Sequence, residues 1–156
     1  MRFPRFLALA LPFAALSAAA APARAQTHHD ALLRQLDTVA VEKRGQGYVV
    51  DGRSLGNGTL VGLLPRAGFV TVEVNLRAGM EYFVAGNCDR DCDDLDLRIM
   101  APDAETVLDE DVSEDAVPVV SFVAREAGPY LLTIRMVGCK TEMCYFGVRV
   151  LARRER

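Results

Sequence analysis

The pattern of hydrophobic and polar positions changes its period once along the chain. From residue 27 to residue 44, side chains recur at the three- and four-residue spacing of an amphipathic helix, namely Leu32, Leu33, Leu36, Val39, Ala40 and Lys43. After Gly47 the period becomes two, which is the signature of half-buried strands. The clearest alternation covers residues 70–76, 95–99, 130–136 and 146–150, and shorter runs cover 48–51, 60–64, 82–85, 106–108 and 119–124.

Turn signals separate these runs. They stand at residues 56–58, 66–68, 78–79, 101–103 and 127–129 and consist of Gly, Pro, Asn, Asp and small residues. Several short strands at regular spacing favour a two-layer antiparallel architecture. The sequence therefore predicts an all-β antiparallel β-sandwich of eight to nine strands, preceded by one N-terminal helix.

The first 25 residues have the composition of a secretory signal peptide. Two arginines precede an apolar run over residues 6–21, and Ala23-Arg24-Ala25 offers small residues at the two positions read by signal peptidase. The alternative, a membrane anchor, is disfavoured because the run is short, rich in alanine and interrupted by Pro12. We expect cleavage before Gln26, no membrane span in the mature chain, and a periplasmic or secreted protein that uses the general secretion route. The predicted organisation is a signal peptide at 1–25, a helix at 26–46 and a sandwich at 47–156.

The charge of the chain is concentrated in one stretch. The whole sequence carries 18 basic and 21 acidic residues, and removal of three arginines with the signal peptide leaves a net charge of −6. The 27 residues from Asp89 to Asp115 contain 12 acidic and only two basic residues. Such a balance excludes a general nucleic-acid binder, which needs a basic face. The acidic stretch is either a solvated face or a cation site.

The four cysteines, Cys88, Cys92, Cys139 and Cys144, all lie in the mature chain. An even number of cysteines in an exported protein favours disulfides. We expect the local pairs Cys88–Cys92 and Cys139–Cys144, with cross-pairing between the two clusters as the alternative. A zinc site is disfavoured by the spacings and by the oxidising compartment.

Residues 67–151 resemble the bacterial pre-peptidase C-terminal domain, a small β-sandwich of jelly-roll type. The resemblance is carried by Ala78-Gly79-Met80-Glu81-Tyr82-Phe83-Val84, by Asp94-Leu95-Asp96-Leu97-Arg98-Ile99, by Val107-Leu108-Asp109-Glu110-Asp111, and by Val119–Phe122 with Ala127–Ile134. Members of this family are commonly appended to secreted proteases, and no protease precedes the domain in this sequence. The resemblance implies an exported jelly-roll sandwich, with calcium held by carboxylates of the second and third segments.

The residues themselves also suggest a calcium site. In a strand, Asp94 and Asp96 share one face, and Asp109 and Asp111 share a face of a neighbouring strand. Two such pairs side by side repel one another unless a cation lies between them. We therefore predict that Ca²⁺ binds Asp94, Asp96, Asp109 and Asp111, with second-rank ligands at Asp89, Asp91 and Asp115. An EF-hand is excluded because Asp94 and Met100 replace the required Gly and Glu.

The sequence offers no convincing catalytic set. His28 and His29 are the only histidines, and they stand close to the expected cleavage site, where we expect a solvated start of the helix. No serine is accompanied by a positioned base. We expect a non-catalytic exported module, a monomer stapled by disulfides, that binds or stabilises an envelope protein or a polysaccharide. The alternative is a carbohydrate-binding module, which would need Tyr48, Tyr82, Tyr130 or Tyr145 exposed on a concave face.

Overall fold

The computed structural model describes residues 22–154, with side chains from Thr27 onward. The signal peptide predicted over residues 1–25 lies outside this range, except for the helix backbone of its last four residues. Helix α1 spans Pro22–Arg44, so it begins earlier than the predicted residue 27. Nine strands follow it: β1 Val49–Val50, β2 Thr59–Leu64, β3 Phe69–Leu76, β4 Met80–Cys88, β5 Cys92–Met100, β6 Val107–Asp111, β7 Val119–Ala124, β8 Gly128–Cys139 and β9 Cys144–Arg154.

The strands form two antiparallel sheets. Sheet A has the order β1-β9-β4-β7, and β2 also pairs with β9. Sheet B has the order β3-β8-β5-β6. The predicted sandwich with one N-terminal helix is confirmed, and each of the nine predicted runs is a strand.

The main core fills the space between the sheets. Leu95, Leu97 and Ile99 of β5 are fully buried, as their alternation with charged residues predicted. Strands β8 and β9 contribute the same pattern from the two sheets, with Leu132, Ile134, Met136, Val148, Val150 and Ala152 fully buried. Burial therefore alternates along β5 and β8 of sheet B, whereas β4 and β9 of sheet A are buried on both faces.

Helix α1 covers the outer face of sheet A and adds a third layer. Its buried residues Leu32, Leu36 and Ala40 recur every four positions, and the helix packs against β9 and β4. The packing is close at Gly147, where a Cβ atom would stand 3.0 Å from Leu36 Cδ1. Arg149, which is buried, pairs with Asp37 of the helix. Within the described residues, no helix is long and apolar enough to cross a membrane.

Candidate functional site

The two predicted calcium-binding pairs lie on opposite faces of sheet B. Asp94 and Asp96 point away from the core, because they alternate along β5 with Leu95 and Leu97, which point into the core. Asp111 lies opposite Leu97 in the β5–β6 register. Residues opposite each other in a sheet share a face, so Asp111 points toward the space between the sheets. The same argument applies to Asp109, which lies opposite Ile99.

Asp109 and Asp111 connect the edge strand β6 of sheet B to the edge strand β7 of sheet A, and we call this junction the rim. The free edge of β7 faces β6, and Asp109 Oδ2 accepts a hydrogen bond from the Ser121 backbone N–H at 2.7 Å. Asp111 Oδ2 accepts one from the Val119 N–H at 2.9 Å. Partial burial alone would raise the pKa of Asp111, but the hydrogen bonds from Val119 and Ser113 outweigh it, and the pKa lies below its ordinary value. These carboxylates satisfy backbone donors of an edge strand.

Asp94 and Asp96 lie on the outer face of β5 in different electrostatic surroundings. Desolvation raises the pKa of Asp94, and the nearby charges of Asp96, Glu114, Asp93 and Asp115 raise it further. Its Oδ1 atom is shielded from solvent and has no hydrogen-bond partner in the described part of the chain. Desolvation also raises the pKa of Asp96, against the opposing effect of Arg135 on the adjacent strand. Charge repulsion thus acts mainly on Asp94, whereas Arg135 and Arg98 partly balance the charge of Asp96.

The second-rank aspartates organise loops. Asp89 accepts hydrogen bonds from the backbone N–H groups of Asp91, at 3.2 Å, and Tyr145, at 3.1 Å. Asp115 Oδ1 accepts from the Val117 N–H at 2.8 Å. The backbone carbonyl of Asp91 accepts from the Lys140 N–H. These bonds hold the turns that connect the strands.

The predicted ligands therefore do not fit one calcium ion. The two pairs face opposite sides of a sheet, and one oxygen each of Asp109 and Asp111 already binds a backbone donor. Among the described residues, no group of three or more His, Cys, Asp or Glu side chains is placed to hold a metal ion. Calcium requires six to eight converging oxygens.

Two disulfides staple one end of the sandwich. Cys88–Cys92 links the end of β4 to the start of β5, and Cys139–Cys144 links the end of β8 to the start of β9. The predicted local pairing is present, and the described residues include no free cysteine. Cys92 lies opposite Cys139 in the β5–β8 register, so the two bridges are neighbours.

A groove of about 550 Å³ opens at this stapled end, between α1 and sheet A. Its residues come from the helix, from the end of β4 with the following turn, and from the loop before β7: Thr27, His28, Ala31, Leu32, Arg34, Gln35, Asn87, Cys88, Asp89, Arg90, Cys92, Ala116 and Val117. We call it the α1 groove. Its volume lies in the range of small-ligand sites.

Asn87 lies in the α1 groove without a hydrogen-bond partner for its side chain. It shares the helix-facing side of β4 with Phe83 and Ala85, which pack beneath α1. Asn87 is only 8% exposed, and none of the described residues hydrogen-bonds its side-chain amide. The amide oxygen and nitrogen of Asn87 keep contact with solvent, because Asp94 Oδ1 is the one fully shielded side-chain polar atom without a partner among the described residues. The Asn87 amide is thus available to a ligand in the groove.

His28 is fixed at the mouth of the same groove. Its ring stacks on Tyr145 with centroids 5.9 Å apart and planes 16° from parallel. Its Nδ1 lies 3.4 Å from Asp89 Oδ2, and the Asp89 side chain is only 6% exposed. His28 is therefore only partly solvated, whereas His29 is exposed, as expected for the start of the helix. His28 is partly buried because it continues the helix face of Leu32 and Leu36, and this four-residue spacing was the available sequence signal.

The accessible charge of the groove is positive. Its ionisable lining residues are His28, Arg34, Asp89 and Arg90. The Asp89 carboxylate is bound to two backbone donors and lies against His28, whereas Arg34 and Arg90 are exposed and form no ion pair with the described residues. A basic groove thus opens beside the acidic stretch.

The tyrosine platform required by a carbohydrate-binding module is mostly absent from the surface. Tyr48, Tyr82 and Tyr130 are buried in the cores. Tyr145 is partly buried beneath His28. Aromatic contacts among the described residues therefore serve packing.

Comparison with known proteins gives remote similarities of fold. No protein-family model matches the chain, and no curated protein matches its sequence. Among solved structures, the chain is similar to Aeromonas hydrophila PliG, a periplasmic lysozyme inhibitor of g-type lysozyme, with 12% identity, a TM-score of 0.47, and coverage of 61% of this chain and 84% of that chain.

Two carbohydrate-binding modules are also similar in structure. One is the CBM6cm-2 module of Cellvibrio mixtus lichenase 5A, at 9% identity and a TM-score of 0.37, covering 70% of this chain and 97% of that one. The other is the C-terminal CBM6 of LamC from Zobellia galactanivorans, at 13% identity and a TM-score of 0.36, covering 65% and 97%.

Proposed function

We propose that this chain is a non-catalytic exported binding module of the cell envelope, and that the α1 groove is its binding site. The observation that carries the proposal is Asn87, a polar side chain that is 8% exposed, faces the groove and has no partner among the described residues. Its amide atoms are accessible and unpaired within the described part of the chain, so a ligand in the groove can hydrogen-bond both the donor and the acceptor of this side chain.

Export is supported by the predicted signal peptide and by two disulfides, which are typical of oxidising compartments. The resemblance to the pre-peptidase C-terminal domain supports the same location, periplasmic or secreted. Calcium is not part of the proposal, because the predicted ligands do not converge.

The absence of catalysis is supported by the surroundings of His28. Nucleophilic catalysis needs a hydroxyl or thiol beside the base. The described cysteines are all in disulfides, and neither serine nor cysteine hydrogen-bonds His28 in the part of the chain described. The contact between His28 and Asp89 instead fixes one wall of the groove.

The test uses nuclear magnetic resonance on ¹⁵N-labelled protein, produced from the full chain by export in a bacterial host. The mass of the product reports whether cleavage precedes Gln26. The probes are acetylated tripeptide amides, both neutral and acidic, together with cellobiose. We expect at least one probe to shift the side-chain NH₂ signals of Asn87 and the backbone signals of residues 87–92.

Asn87→Ala provides the matched variant. We expect it to weaken the effective probe by about three- to ten-fold, the equivalent of one neutral hydrogen bond, and to leave thermal stability unchanged or raised. The control Asn75→Ala removes an exposed amide of β3 and should change neither property. If no probe perturbs the groove, or if Asn87→Ala destabilises the fold without affecting binding, the Asn87 amide is structural and the proposal fails.

A further inference from the structure

We propose that the α1 groove binds an acidic polypeptide segment, a stretch of a partner protein that carries carboxylates. This inference rests on the proposed function of the groove and adds the chemical class of its ligand. Three independent features of the groove carry it: two arginines without an ion pair among the described residues, an amide without a hydrogen bond among them, and a small apolar surface.

Arg34 and Arg90 line the groove from its two sides. Arg34 belongs to α1, and Arg90 belongs to the turn that follows the Cys88–Cys92 bridge. Both are exposed and free of ion pairs within the described residues. A planar guanidinium matches a carboxylate with two parallel hydrogen bonds, so the pair favours a ligand with carboxylates.

Asp89 is the one acid among the described lining residues, so the two arginines and Asp89 together leave an excess of positive charge. Asp89 is 6% exposed at its side chain, and its two oxygens accept backbone hydrogen bonds from Asp91 and Tyr145. Its remaining contact is with His28. An anion entering the groove therefore meets two free cations, while the carboxylate of Asp89 is directed into the turn.

The Asn87 amide indicates a polypeptide. A primary amide offers one acceptor and two donors, which is the complement of a peptide group. Ala31, Ala116 and Val117 add apolar contact area beside it, and Val117 is 53% exposed. An acidic polysaccharide would be expected to stack on aromatic rings, but Tyr48, Tyr82 and Tyr130 are buried in the cores.

The rigidity of the groove favours recognition of a segment. The Cys88–Cys92 bridge fixes the turn that carries Arg90, and the Tyr145 stack fixes His28. Preorganised walls reduce the entropy lost on binding. The helix wall and the turn wall are held by separate contacts.

The experiment compares acetyl-Glu-Ala-Glu-amide with its isosteric control, acetyl-Gln-Ala-Gln-amide, by the same resonance titration. We expect the acidic peptide to bind the groove at least ten-fold more tightly, and the difference to shrink in about 0.5 M NaCl, where charges are screened. Arg34→Gln and Arg90→Gln should each weaken the acidic peptide by about three- to ten-fold and leave the glutamine peptide unchanged. The control Arg125→Gln removes an exposed arginine beyond β7, at the opposite end of β4, and should have no effect.

The outcomes separate this inference from the proposed function. Equal binding of the two peptides in the groove overturns the acidic ligand and leaves the binding site standing. Tighter binding of a glucuronate disaccharide than of the acidic peptide also overturns the inference, in favour of an acidic glycan. An equal loss with Arg125→Gln would show non-specific attraction. Failure of every probe to reach Asn87 overturns the site itself.

Discussion

At the scale of single residues, Asp109 and Asp111 stabilise the open rim of the sandwich. Their spacing of two matches the spacing of Val119 and Ser121, whose N–H groups point away from sheet A. A free strand edge exposes a row of donors that can pair with another chain. The two carboxylates occupy these donors and place charge along the edge, so they stabilise the fold and oppose aggregation.

We predict that Asp109→Ala and Asp111→Ala each lower the free energy of unfolding by about 1 kcal/mol, through loss of a charge-assisted hydrogen bond at a partly exposed position. Glu110 pairs with Arg98 on the outer face, and the control Glu110→Ala should change the free energy of unfolding by about 0.5 kcal/mol or less. Urea unfolding at neutral pH measures all three. Equal losses in the three variants would contradict the rim contact.

The effect of Asp111 should depend on pH. Its pKa is lower in the folded protein than in the unfolded chain, so its stabilisation is present above the unfolded value of about 4 and is lost as the pH falls through the lowered value. The unfolding curves of the wild type and Asp111→Ala should therefore converge in acid.

The orientation of these aspartates was not predictable from alternation alone. In the sequence, Val107 and Leu108 are both apolar, so alternation does not decide which face Asp109 takes. The β5–β6 register shifts between Ile99 and Met100, and Leu108 has no partner across it. This bulge lets partly buried Leu108 and Asp109 both face inward. A bulge depends on pairing between strands, and no pattern within one strand reveals it.

At the scale of elements, α1 serves both as a cover for sheet A and as a wall of the groove. Leu36 is fully buried and stands against Gly147 of β9, while Arg34 and Gln35 on the same turn line the groove. The stability of the fold and the shape of the groove are therefore coupled through one helix.

Leu36→Ala should lower the free energy of unfolding by about 2–5 kcal/mol, as expected for truncation of a fully buried leucine. Leu33→Ala, at a partly buried position of the same helix, should have a markedly smaller effect. Urea unfolding followed by far-ultraviolet circular dichroism measures both. A loss below about 1 kcal/mol for Leu36→Ala would mean that α1 does not depend on this contact with sheet A.

The elements themselves were predictable, because a single buried face imposes a visible period on each of them. The groove was not, since its residues come from three separate segments. Asn87 stands two positions beyond the predicted end of its run, and it joins the face of Phe83 and Ala85 only because β4 continues to Cys88. The four-residue spacing places His28 on the buried face of the helix, but its contacts with Asp89 and Tyr145 could not be predicted, because these residues are remote in sequence.

At the scale of the whole molecule, the acidic stretch is divided among three environments. The turn at residues 89–91 supports the groove, and the aspartates of β6 bind the free edge of β7. Asp94, on the outer face of β5, lies among like charges. Only the last of these opposes folding at neutral pH. The raised pKa of Asp94, caused by desolvation and by its acidic neighbours, expresses that penalty.

Asp94→Asn is therefore expected to raise the melting temperature at about pH 7. The sign follows from linkage: because the folded pKa of Asp94 is raised above its unfolded value, stability decreases as the pH rises through the interval between the two values. Below that interval the carboxyl is protonated in both states, and the advantage of Asp94→Asn should disappear. The control is Glu105→Gln, which neutralises an acid on an exposed loop. Asp103→Asn is unsuitable as a control, because Asp103 accepts hydrogen bonds from the backbone N–H groups of Glu105 and Thr106.

The same measurement decides the question of calcium. A calcium site saturated at 100 times its dissociation constant would add about 2.7 kcal/mol to the free energy of unfolding. Since the predicted ligands face opposite sides of sheet B, we expect the wild type to melt at the same temperature in about 10 mM calcium and in chelator. A calcium-dependent rise that Asp94→Asn abolishes would contradict this expectation and would place a cation among Asp94 and its acidic neighbours. An unchanged melting temperature, together with stabilisation by Asp94→Asn, would leave charge repulsion as the explanation of this face.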